Sequence, residues 1–348
     1  MRVLVTGGAG FIGSNFLNAS VPRRREHDFI NVDCLSYAAN PKSLEPIAGA
    51  PNYRFVEGNI ADFAFVDALF ERERPELVVH LAAETHVDRS IFGPRDFVTS
   101  NVVGTASLLE ACRKHWRPGV GIFHHVTTDE VYGPVAAGTK TTESSPYAPQ
   151  NPYAATKAAS DHLVRAYAAT YGLSVRITTS TNNFGPRQHP EKLVPLVIAN
   201  ALVGKAVPIY GDGKQVRDWI YVDDHCDALW AVIEKGRPGE TYGVGAEREL
   251  ANLDMVQRVL GALALEMGRP QDAFEHLQTF VADRPAHDRR YATDASKLAR
   301  ECGFACKHSL DEGLKKTVRF YLDDAAWLSA AKSGAYAAWI EENYGKRH

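Results

Sequence analysis

Five residues in two short segments carry groups that can transfer protons. The first segment is Thr128-Asp129-Glu130, and the second holds Tyr153 with Lys157 four positions later. A phenol and an ammonium suffice for a simple alcohol dehydrogenase, which moves one proton and positions one hydride. The adjacent carboxylates exceed that need, and an acid with a base is what elimination of water requires. The sequence therefore predicts a dehydratase built on a dehydrogenase frame, with these five residues as its catalytic set.

The tyrosine and the lysine are spaced so that they can act together. Four positions on a helix put both side chains on the same face. The positive charge of Lys157 would lower the pKa of the Tyr153 phenol, and the ammonium could also hold the ribose of a nicotinamide. This spacing is common by chance, and it gains weight here because it follows the Thr-Asp-Glu segment within a fold predicted from independent features.

A glycine-rich turn near the start of the chain predicts a dinucleotide site. A short apolar strand, Arg2–Val5, leads into Gly7, Gly10 and Gly13, and a helical pattern follows. Glycines at this spacing allow a tight turn, close approach of a pyrophosphate and close packing of helix on strand. The next strand ends at Asp33, 20 positions after Gly13, where a carboxylate can bind the ribose hydroxyls of adenosine. Since no arginine follows it directly, the sequence favours NAD over NADP.

Strand-like and helical segments alternate through the first half of the chain. Apolar runs predict strands at 53–57, 77–81, 121–126 and 175–179, and helical patterns cover 61–73 and 94–116. In open α/β sheets the ligands bind at the carboxyl ends of the strands, so the residues after these strands should share one crevice. The predicted fold is α/β, a Rossmann-type doubly wound parallel sheet with a smaller C-terminal α/β substrate-binding domain.

The second half of the chain predicts a grip for a nucleotide diphosphate. We assign residues 1–180, with 219–245 returning, to an NAD-binding Rossmann domain, and 181–218 with 246–348 to a nucleotide-sugar-binding domain. Lys192, Arg217 and Arg284 are cations suited to a diphosphate, and arginine can bind it with two parallel hydrogen bonds. The ring of Tyr210 could stack on a nucleobase. Two amphipathic helices are predicted over 252–268 and 309–332.

Composition narrows the class of protein. The chain has 348 residues and a net charge of −3, so no basic field indicates nucleic acid or an anionic membrane as partner. Its five cysteines contain no CxxC pair, which favours a reducing, cytoplasmic location over a disulfide framework. No signal peptide or long apolar run is expected. The scattered histidines have no metal-ligand spacing, so no metal site is predicted.

Taken together, the motifs resemble the extended short-chain dehydrogenase/reductase family and, within it, the dTDP-glucose 4,6-dehydratases. The resemblance covers Gly7 to about Tyr344, and its most specific segments are TGGAGFIGSN, LAAETHVDRSI, TTDEVYG, YAATK, NNFGPRQHPEKLVP, YGDGKQVRDWIYVDDH and DRPAHDRRYATD. The Asp129–Glu130 pair separates the chain from related epimerases and decarboxylases, and from CDP-glucose and GDP-mannose dehydratases, which carry other residues there.

The resemblance implies a redox-neutral reaction on a nucleotide sugar with NAD retained throughout. Tyr153 would take the proton of the 4-hydroxyl while hydride passes from C4 to NAD, and Thr128 would help to hold that hydroxyl. Glu130 would then remove the C5 proton and protonated Asp129 would donate to the departing C6 hydroxyl, before hydride returns to C6. One carboxyl must be charged and the other neutral for this division of work.

The family match also implies two sets of binding residues. The cofactor set comprises Gly7, Gly10, Phe11, Ile12, Gly13, Asp33, Leu35, Ser36, Asn59, Ile60, Leu81, Ala82, Ala83, Ser100, Tyr153, Lys157 and Asn183. The substrate set comprises Thr85, Thr128, Asp129, Glu130, Asn182, Glu191, Lys192, Leu193, Pro208, Tyr210, Arg217, Asn252, Arg284, His287 and Tyr291. Family members also pair two helices across a two-fold axis into a four-helix bundle. The apolar and small residues at 97–114 and 153–170 therefore predict a homodimer.

This chain departs from the family pattern at five positions, and none of them is catalytic. These departures leave the exact identity of the nucleotide sugar slightly open. They are Asn59 for Asp, Thr85 for Ser, Thr181 for Ser, Phe184 for Tyr and Ala286 for Gly. The alternatives are a dehydratase acting on another nucleotide sugar, or an epimerase or decarboxylase of the same superfamily. A non-catalytic, NAD-sensing regulatory protein is a further alternative, and the intact catalytic set argues against it.

Overall fold

The structure is a computed structural model that describes residues 1–117 and 119–331. Its strands are β1 (Arg2–Thr6), β2 (Asp28–Asp33), β3 (Tyr53–Glu57), β4 (Leu77–His80), β5 (Ile122–Thr128), β6 (Val175–Ser180), β7 (Asn182–Phe184), β8 (Val207–Tyr210), β9 (Val216–Tyr221), β10 (Thr241–Val244), β11 (Glu249–Ala251) and β12 (Gln278–Val281). Its α-helices are α1 (Phe11–Arg23), α2 (Phe63–Glu73), α3 (Val87–Phe92), α4 (Pro94–Phe97), α5 (Gly104–His115), α6 (Pro152–Tyr171), α7 (Leu193–Ala201), α8 (Val222–Lys235), α9 (Asn252–Glu266), α10 (Ser296–Cys302), α11 (Leu310–Asp323) and α12 (Ala325–Ala331).

A seven-stranded parallel sheet forms the centre of the molecule. Its order is β10-β6-β5-β4-β1-β2-β3, so the chain builds outward from β1 in one direction and then resumes at β4 on the other side. Along β1, Val3 and Val5 join one apolar cluster whereas Leu4 joins another, because the strand is covered on both faces. The order reverses between β1 and β4, which is where such sheets open a crevice for ligands. The predicted Rossmann-type fold class is confirmed.

Two smaller sheets lie beyond the large one in the second half of the chain. β11, β9 and β7 form a three-stranded sheet, and β12 pairs in parallel with β8. β9 crosses the predicted domain boundary at residue 219, whereas β10 pairs with β6 in the large sheet. The division into two domains stays a prediction. Residues 332–348 of the predicted nucleotide-sugar-binding domain lie outside the described residues.

The helix predicted over 94–116 is present from Pro94 to His115, but it is not α-helical throughout. A π-helical turn, Val98–Val103, separates α4 from α5. Within that turn the side chain of Asn101 accepts from the Glu84 amide at 2.9 Å and donates to the Glu84 carbonyl at 3.1 Å and to the Thr156 hydroxyl at 2.9 Å. The π turn thus positions the buried side-chain amide of Asn101 so that it links the loop after β4 to α6.

The prediction of one helix over 309–332 is wrong. The chain breaks at Asp324 between α11 and α12, and the carboxylate of Asp324 accepts from the Trp327 amide at 2.8 Å. A short polar side chain that caps the next helix competes with continuation of the first one. Residue 332 lies outside the described part of the chain. No helix within that part is both long enough and apolar enough to span a bilayer.

We predict that Gly313→Ala destabilises the protein although alanine is the better helix former. A methyl group at Gly313 would lie 2.9 Å from ring atoms of both Phe184 and Tyr221, which are buried. Overpacking of this kind costs about 1–3 kcal/mol, against a helix-propensity gain of about 1 kcal/mol. Denaturant unfolding should show a lower midpoint. Gly49→Ala, where nothing lies within 4 Å of the added carbon, is the matched control, and equal midpoints for the two variants would contradict the prediction.

Candidate active site

One cleft at the carboxyl ends of the large sheet gathers most of the predicted site residues. It is lined by all five predicted catalytic residues and by every predicted cofactor-binding residue except Leu35. Four residues of the predicted substrate set that have no catalytic assignment also line it: Thr85, Asn182, Glu191 and Lys192. The topology therefore brings together segments that are up to 185 positions apart in sequence, from Gly7 to Lys192.

The glycine-rich turn after β1 packs too closely for side chains. Gly7 has a φ of +74°, and a Cβ there would lie 2.6 Å from the Cα of Ala82. A Cβ at Gly13 would lie 2.2 Å from the carbonyl oxygen of Gly7. Only glycine fits at these two positions. Because glycine has no side chain, a ligand such as a pyrophosphate can approach the backbone of the turn and the start of α1 directly.

Asp33, at the end of β2, is held in position by two hydrogen bonds from backbone amides. Its carboxylate accepts from the amides of Ala9 at 2.9 Å and Leu35 at 2.8 Å. Burial raises the pKa of Asp33, and the two backbone hydrogen bonds oppose that rise. A carboxylate has about four acceptor positions, so two remain for ribose hydroxyls. Leu35 contributes its backbone to this arrangement rather than lining the cleft, and together with the glycine turn Asp33 fits a dinucleotide.

A capping residue joins the two catalytic segments. β5 ends at Thr128, and a short 3₁₀ turn carries Asp129 and Glu130 beyond it. The side chain of Asn151 caps α6 by accepting from the Ala154 amide at 2.9 Å. The same side chain donates to the Glu130 carboxylate at 3.1 Å. Asn151 therefore fixes the position of Glu130 relative to the helix that carries Tyr153 and Lys157.

Asp129 is prepared to act as an acid. It is 4% exposed, and one of its carboxyl oxygens has no hydrogen-bond partner among the described residues. Burial, with the negative charge of Glu130 as a second cause, raises the pKa of Asp129 to about 8, while the charge of Arg217 opposes the rise. At neutral pH the carboxyl is therefore protonated beside the partly exposed Glu130. This is the unequal pair that an acid–base elimination requires.

Tyr153 and Lys157 share the buried face of α6, as their spacing predicts. Burial, followed by the charge of Glu130, raises the pKa of Tyr153, and a hydrogen bond with Thr128 lowers it. The ammonium of Lys157 donates to the carbonyl of Val126 at 2.9 Å, and burial lowers the pKa of Lys157 to about 8. The effect of Lys157 on the phenol stays a prediction.

The remaining members of the predicted substrate set lie outside the lining of the cleft. They are Leu193, Pro208, Tyr210, Arg217, Asn252, Arg284, His287 and Tyr291. Several of them form a second group: the Arg217 guanidinium lies 4.5 Å from the ring centre of Tyr291, and the rings of Tyr210 and His287 meet edge to face at 6.1 Å. The charge of Arg217 acts on Asp129, which places this group next to the catalytic carboxyls.

Asp88 joins this second group to α3, the helix that follows β4. Its carboxylate accepts from the Tyr210 hydroxyl at 3.1 Å and from Arg284 at 3.4 Å. Lys192 makes a similar link, since its ammonium donates to the Thr85 carbonyl at 2.9 Å. Two of the predicted diphosphate cations, Lys192 and Arg284, are therefore held by the segment that follows β4.

Sequence reasoning missed several residues that line the cleft. They are Val32, Cys34, Ala38, Ala39, Gly58, Glu84, Val126, Thr127, Ser180, Thr181, Gln188 and His189. Cys34 directly follows the predicted strand that ends at Asp33, and Ser180 and Thr181 are the first two residues after the predicted strand 175–179, so the rule that ligands bind at carboxyl strand ends could have found them. Gln188 and His189 had no such signal, because their position depends on the path of a loop.

The comparisons with known proteins agree with this site. The GDP-mannose 4,6 dehydratase family model matches residues 4–317. The dTDP-glucose 4,6-dehydratase of Salmonella typhimurium is 46% identical over 362 residues, covering 100% of both chains. That of Xanthomonas campestris is 49% identical over 343 residues, covering 96% of both. The chain belongs to the dTDP-glucose 4,6-dehydratase family.

Solved structures support the same family. DesIV, a dTDP-glucose 4,6-dehydratase from Streptomyces venezuelae with NAD and TYD bound, superposes with a TM-score of 0.88 at 44% identity over 95% of this chain and 100% of that one. The UDP-glucose 4-epimerase of Thermotoga maritima reaches 0.83 at 30% identity over 93% of this chain and 100% of that one. The fold is shared with epimerases, whereas the sequence is closer to the dehydratases. The predicted resemblance is confirmed.

We predict that Asp129→Asn stabilises the fold, and increasingly so as pH rises. A folded-state pKa of about 8 against an ordinary 3.8 means that the protonated carboxyl stabilises the fold below pH 3.8 and that this stability is lost between pH 3.8 and 8. Asparagine does not titrate and avoids the loss. The variant's gain in free energy of unfolding should exceed about 1 kcal/mol at pH 8 and shrink at pH 5.5. Denaturant titrations of both proteins at the two pH values test this, and a difference independent of pH would contradict it.

Proposed function

We propose that this protein dehydrates dTDP-glucose to dTDP-4-dehydro-6-deoxyglucose with NAD as its retained cofactor. The observation that carries the proposal is the pair of adjacent carboxyls in one cleft with Tyr153 and Lys157. One of them, Asp129, is buried and neutral at pH 7, and Glu130 beside it is partly exposed. A simple dehydrogenase or epimerase has no use for this unequal pair, whereas elimination of water needs both members.

The glycine turn after β1 and Asp33 would hold the pyrophosphate and the adenosine ribose of NAD. Lys157 would hold the nicotinamide ribose from the helix opposite. When bound, NAD supplies a hydride acceptor for C4 of the sugar and a hydride donor for C6. Homologous structures from Streptomyces venezuelae and Bacillus anthracis were solved with NAD bound, which supports the assignment.

The side chains of this chain divide the proton transfers between them. Tyr153 takes the proton of the 4-hydroxyl as its phenolate, with Thr128 holding the oxygen. Burial opposes formation of the phenolate, and the positive charge of Lys157 would favour it. The resulting 4-keto group acidifies the C5 proton, and Glu130 removes it. Asp129 donates its proton to the C6 hydroxyl, which then leaves as water. With hydride supplied at C6, Glu130 returns a proton to C5. The proton that Tyr153 took must then be released and Asp129 protonated again, so the net change is loss of one water molecule.

The second group of residues would bind the nucleotide. Arg217 and Arg284 are suited to the diphosphate, and the ring of Tyr210 to the base. Glu191 is buried, and burial raises its pKa to about 7 while it accepts from the Tyr37 hydroxyl at 3.1 Å. A carboxyl with a pKa of about 7 is only partly ionised at neutral pH, which suits hydrogen bonding to sugar hydroxyls rather than contact with a phosphate. A cytoplasmic location, predicted from the cysteines, stays a prediction.

The purified protein should convert dTDP-glucose into a 4-keto-6-deoxy product whose mass is lower by one water. GDP-mannose is the control substrate, since the matching family model bears that name, and it should react more slowly. Tyr153→Phe should leave bound NAD oxidised when the sugar arrives. Asp129→Asn should still allow C4 oxidation but slow loss of water about 10²–10⁴-fold, the usual scale for one general acid.

Glu130→Gln should block exchange of the C5 proton with deuterated solvent. Rapid mixing that follows absorbance of the reduced cofactor, together with deuterium analysis at C5, separates the three variants. If Asp129→Asn and Glu130→Gln both eliminate water at near wild-type rates, the carboxyl pair is structural and the proposed reaction is wrong.

We also propose that the protein forms a homodimer through α5 and α6. The outer face of these helices and the preceding π turn carries exposed or half-buried small and apolar residues. They are Val98, Val102, Val103, Ala106, Ala155, Ala159, Leu163 and Ala166. Val98 is 46% exposed. If this face paired with the same face of a second subunit across a two-fold axis, these residues would be buried in a four-helix bundle.

We predict that Val98→Arg combined with Ala166→Arg converts the dimer into a monomer. Two buried guanidinium groups per subunit would meet their symmetry mates across the axis and could not be solvated. Val203→Arg, at a 61% exposed residue just after α7, is the control and should leave the mass unchanged. Sedimentation at micromolar concentration measures the result, and a monomeric wild-type protein would refute the proposed dimer.

A further inference from the structure

Lys157 carries its charge in a place that disfavours charge. The residue is 4% exposed, and its ammonium donates to a backbone carbonyl, that of Val126. A carbonyl dipole replaces only part of the lost hydration of an ammonium. The proposed function needs the charged form, because the ammonium is to hold the nicotinamide ribose and assist Tyr153. A buried negative charge nearby is therefore required.

Asp161 lies one helical turn beyond Lys157 on the same face of α6. It is 0% exposed, and each of its carboxylate oxygens has a partner. One accepts from the Nε2 of His125 at 3.0 Å and the other from the Tyr147 hydroxyl at 2.9 Å. Because a carboxylate only accepts, Nε2 of His125 carries the proton. Arg165, one further turn along α6, donates to the Thr241 hydroxyl at 2.6 Å.

The hydrogen bond to His125 also joins the two catalytic elements. His125 is on β5, three residues before Thr128, and Asp161 is on α6, four residues after Lys157. Both side chains are fully buried, so water does not compete for the bond. The strand that carries Asp129 and Glu130 is thus tied to the helix that carries Tyr153 and Lys157.

The titratable groups around Lys157 leave Asp161 as the source of negative charge. His80 on β4 and His125 on β5 both feel the charge of Lys157, and burial holds the pKa of each well below its ordinary value, so both are neutral. Tyr153, one turn earlier, is a phenol whose pKa is raised. Burial raises the pKa of Asp161 to about 6, with Lys157 opposing the rise, so its carboxylate is ionised at neutral pH.

We propose that Asp161 is a positioning residue of the active site, which supplies the buried negative charge that keeps Lys157 protonated and ties α6 to β5 through His125. The inference rests on the proposed function, because it assigns the charge of Lys157 a use in the reaction. Asp161 itself contacts neither substrate nor cofactor and acts through Lys157.

The test is Asp161→Asn, which keeps the shape and the acceptor for His125 but removes the charge. NMR of isotope-labelled lysine side chains, with the Lys157 signal assigned by its loss in Lys157→Gln, follows the titration without sugar present. The wild-type midpoint should lie near the pKa of about 8 and fall in Asp161→Asn by about one unit or more. Equal midpoints would overturn the proposal.

Tyr147→Phe is the matched control. It removes one hydrogen bond from Asp161 and leaves the carboxylate charged, so the Lys157 midpoint should move by less than about half a unit. A shift in Tyr147→Phe as large as that in Asp161→Asn would overturn the charge argument in favour of a packing effect. If Asp161→Asn does not fold, Lys157→Gln tests the reciprocal coupling: the pKa of Asp161 should rise above about 6, and no rise would overturn the proposal.

The pH profile of dTDP-glucose turnover completes the test. Activity that needs charged Lys157 is lost as pH rises through its pKa, so the alkaline limb of Asp161→Asn should move to lower pH by the same interval as the NMR midpoint. If the NMR midpoint of Lys157 falls in Asp161→Asn but the alkaline limb of its pH profile does not move, the proposed role of Asp161 in the reaction is wrong. A wild-type protein without dehydratase activity would refute the proposed function instead, and the NMR midpoints alone would then decide the part of Asp161.

Discussion

The burial of ionisable groups at the end of β5 is the constraint on which the active site depends. Asp129, Tyr153, Lys157 and Asp161 are each at most 8% exposed, and burial is the largest influence on the pKa of every one of them. In water each group would take its ordinary protonation state, and Asp129 would be a carboxylate like Glu130. Exclusion of water is what makes two neighbouring carboxyls chemically different.

The fold can hold these groups because the parallel sheet around them is large and apolar. β4 and β5 each contribute apolar side chains to the clusters on both faces of the sheet, and several of the polar side chains buried around them are hydrogen-bonded. His80 bonds to Thr6 and Thr105, and His225 to Ser180. Each buried polar group with a partner avoids a cost of about 1–3 kcal/mol. One carboxyl oxygen of Asp129 is among the buried polar atoms that have no hydrogen-bond partner within the described residues, and because it lines the cleft a substrate hydroxyl could bind to it.

Local signals made much of the site predictable. The glycine turn, Asp33 and the Tyr153–Lys157 spacing depend on a few neighbouring residues, and the ends of parallel strands share one edge by geometry. Asn101 and Asp161 were not predicted, because their partners lie on other elements. The break at Asp324 was not predicted either, because it depends on a capping hydrogen bond to Trp327, and the apolar periodicity of a helix does not reveal such a bond. The position of Arg217 next to Asp129 depends on how β9 packs against the large sheet.

The two carboxyls of the elimination differ because each is held by a different kind of neighbour. Glu130 is only partly buried and accepts from the side-chain amide of Asn151. Asp129 faces Glu130 from a water-excluded position, so the ionised state of the first residue itself disfavours ionisation of the second. Arg217 acts against this, and its cation is partly committed to Tyr291 and to the Asp288 carbonyl at 2.9 Å. The protonation of the proposed acid therefore depends on the proposed base beside it as well as on burial, which is how adjacent residues of nearly the same chemistry could carry opposite roles.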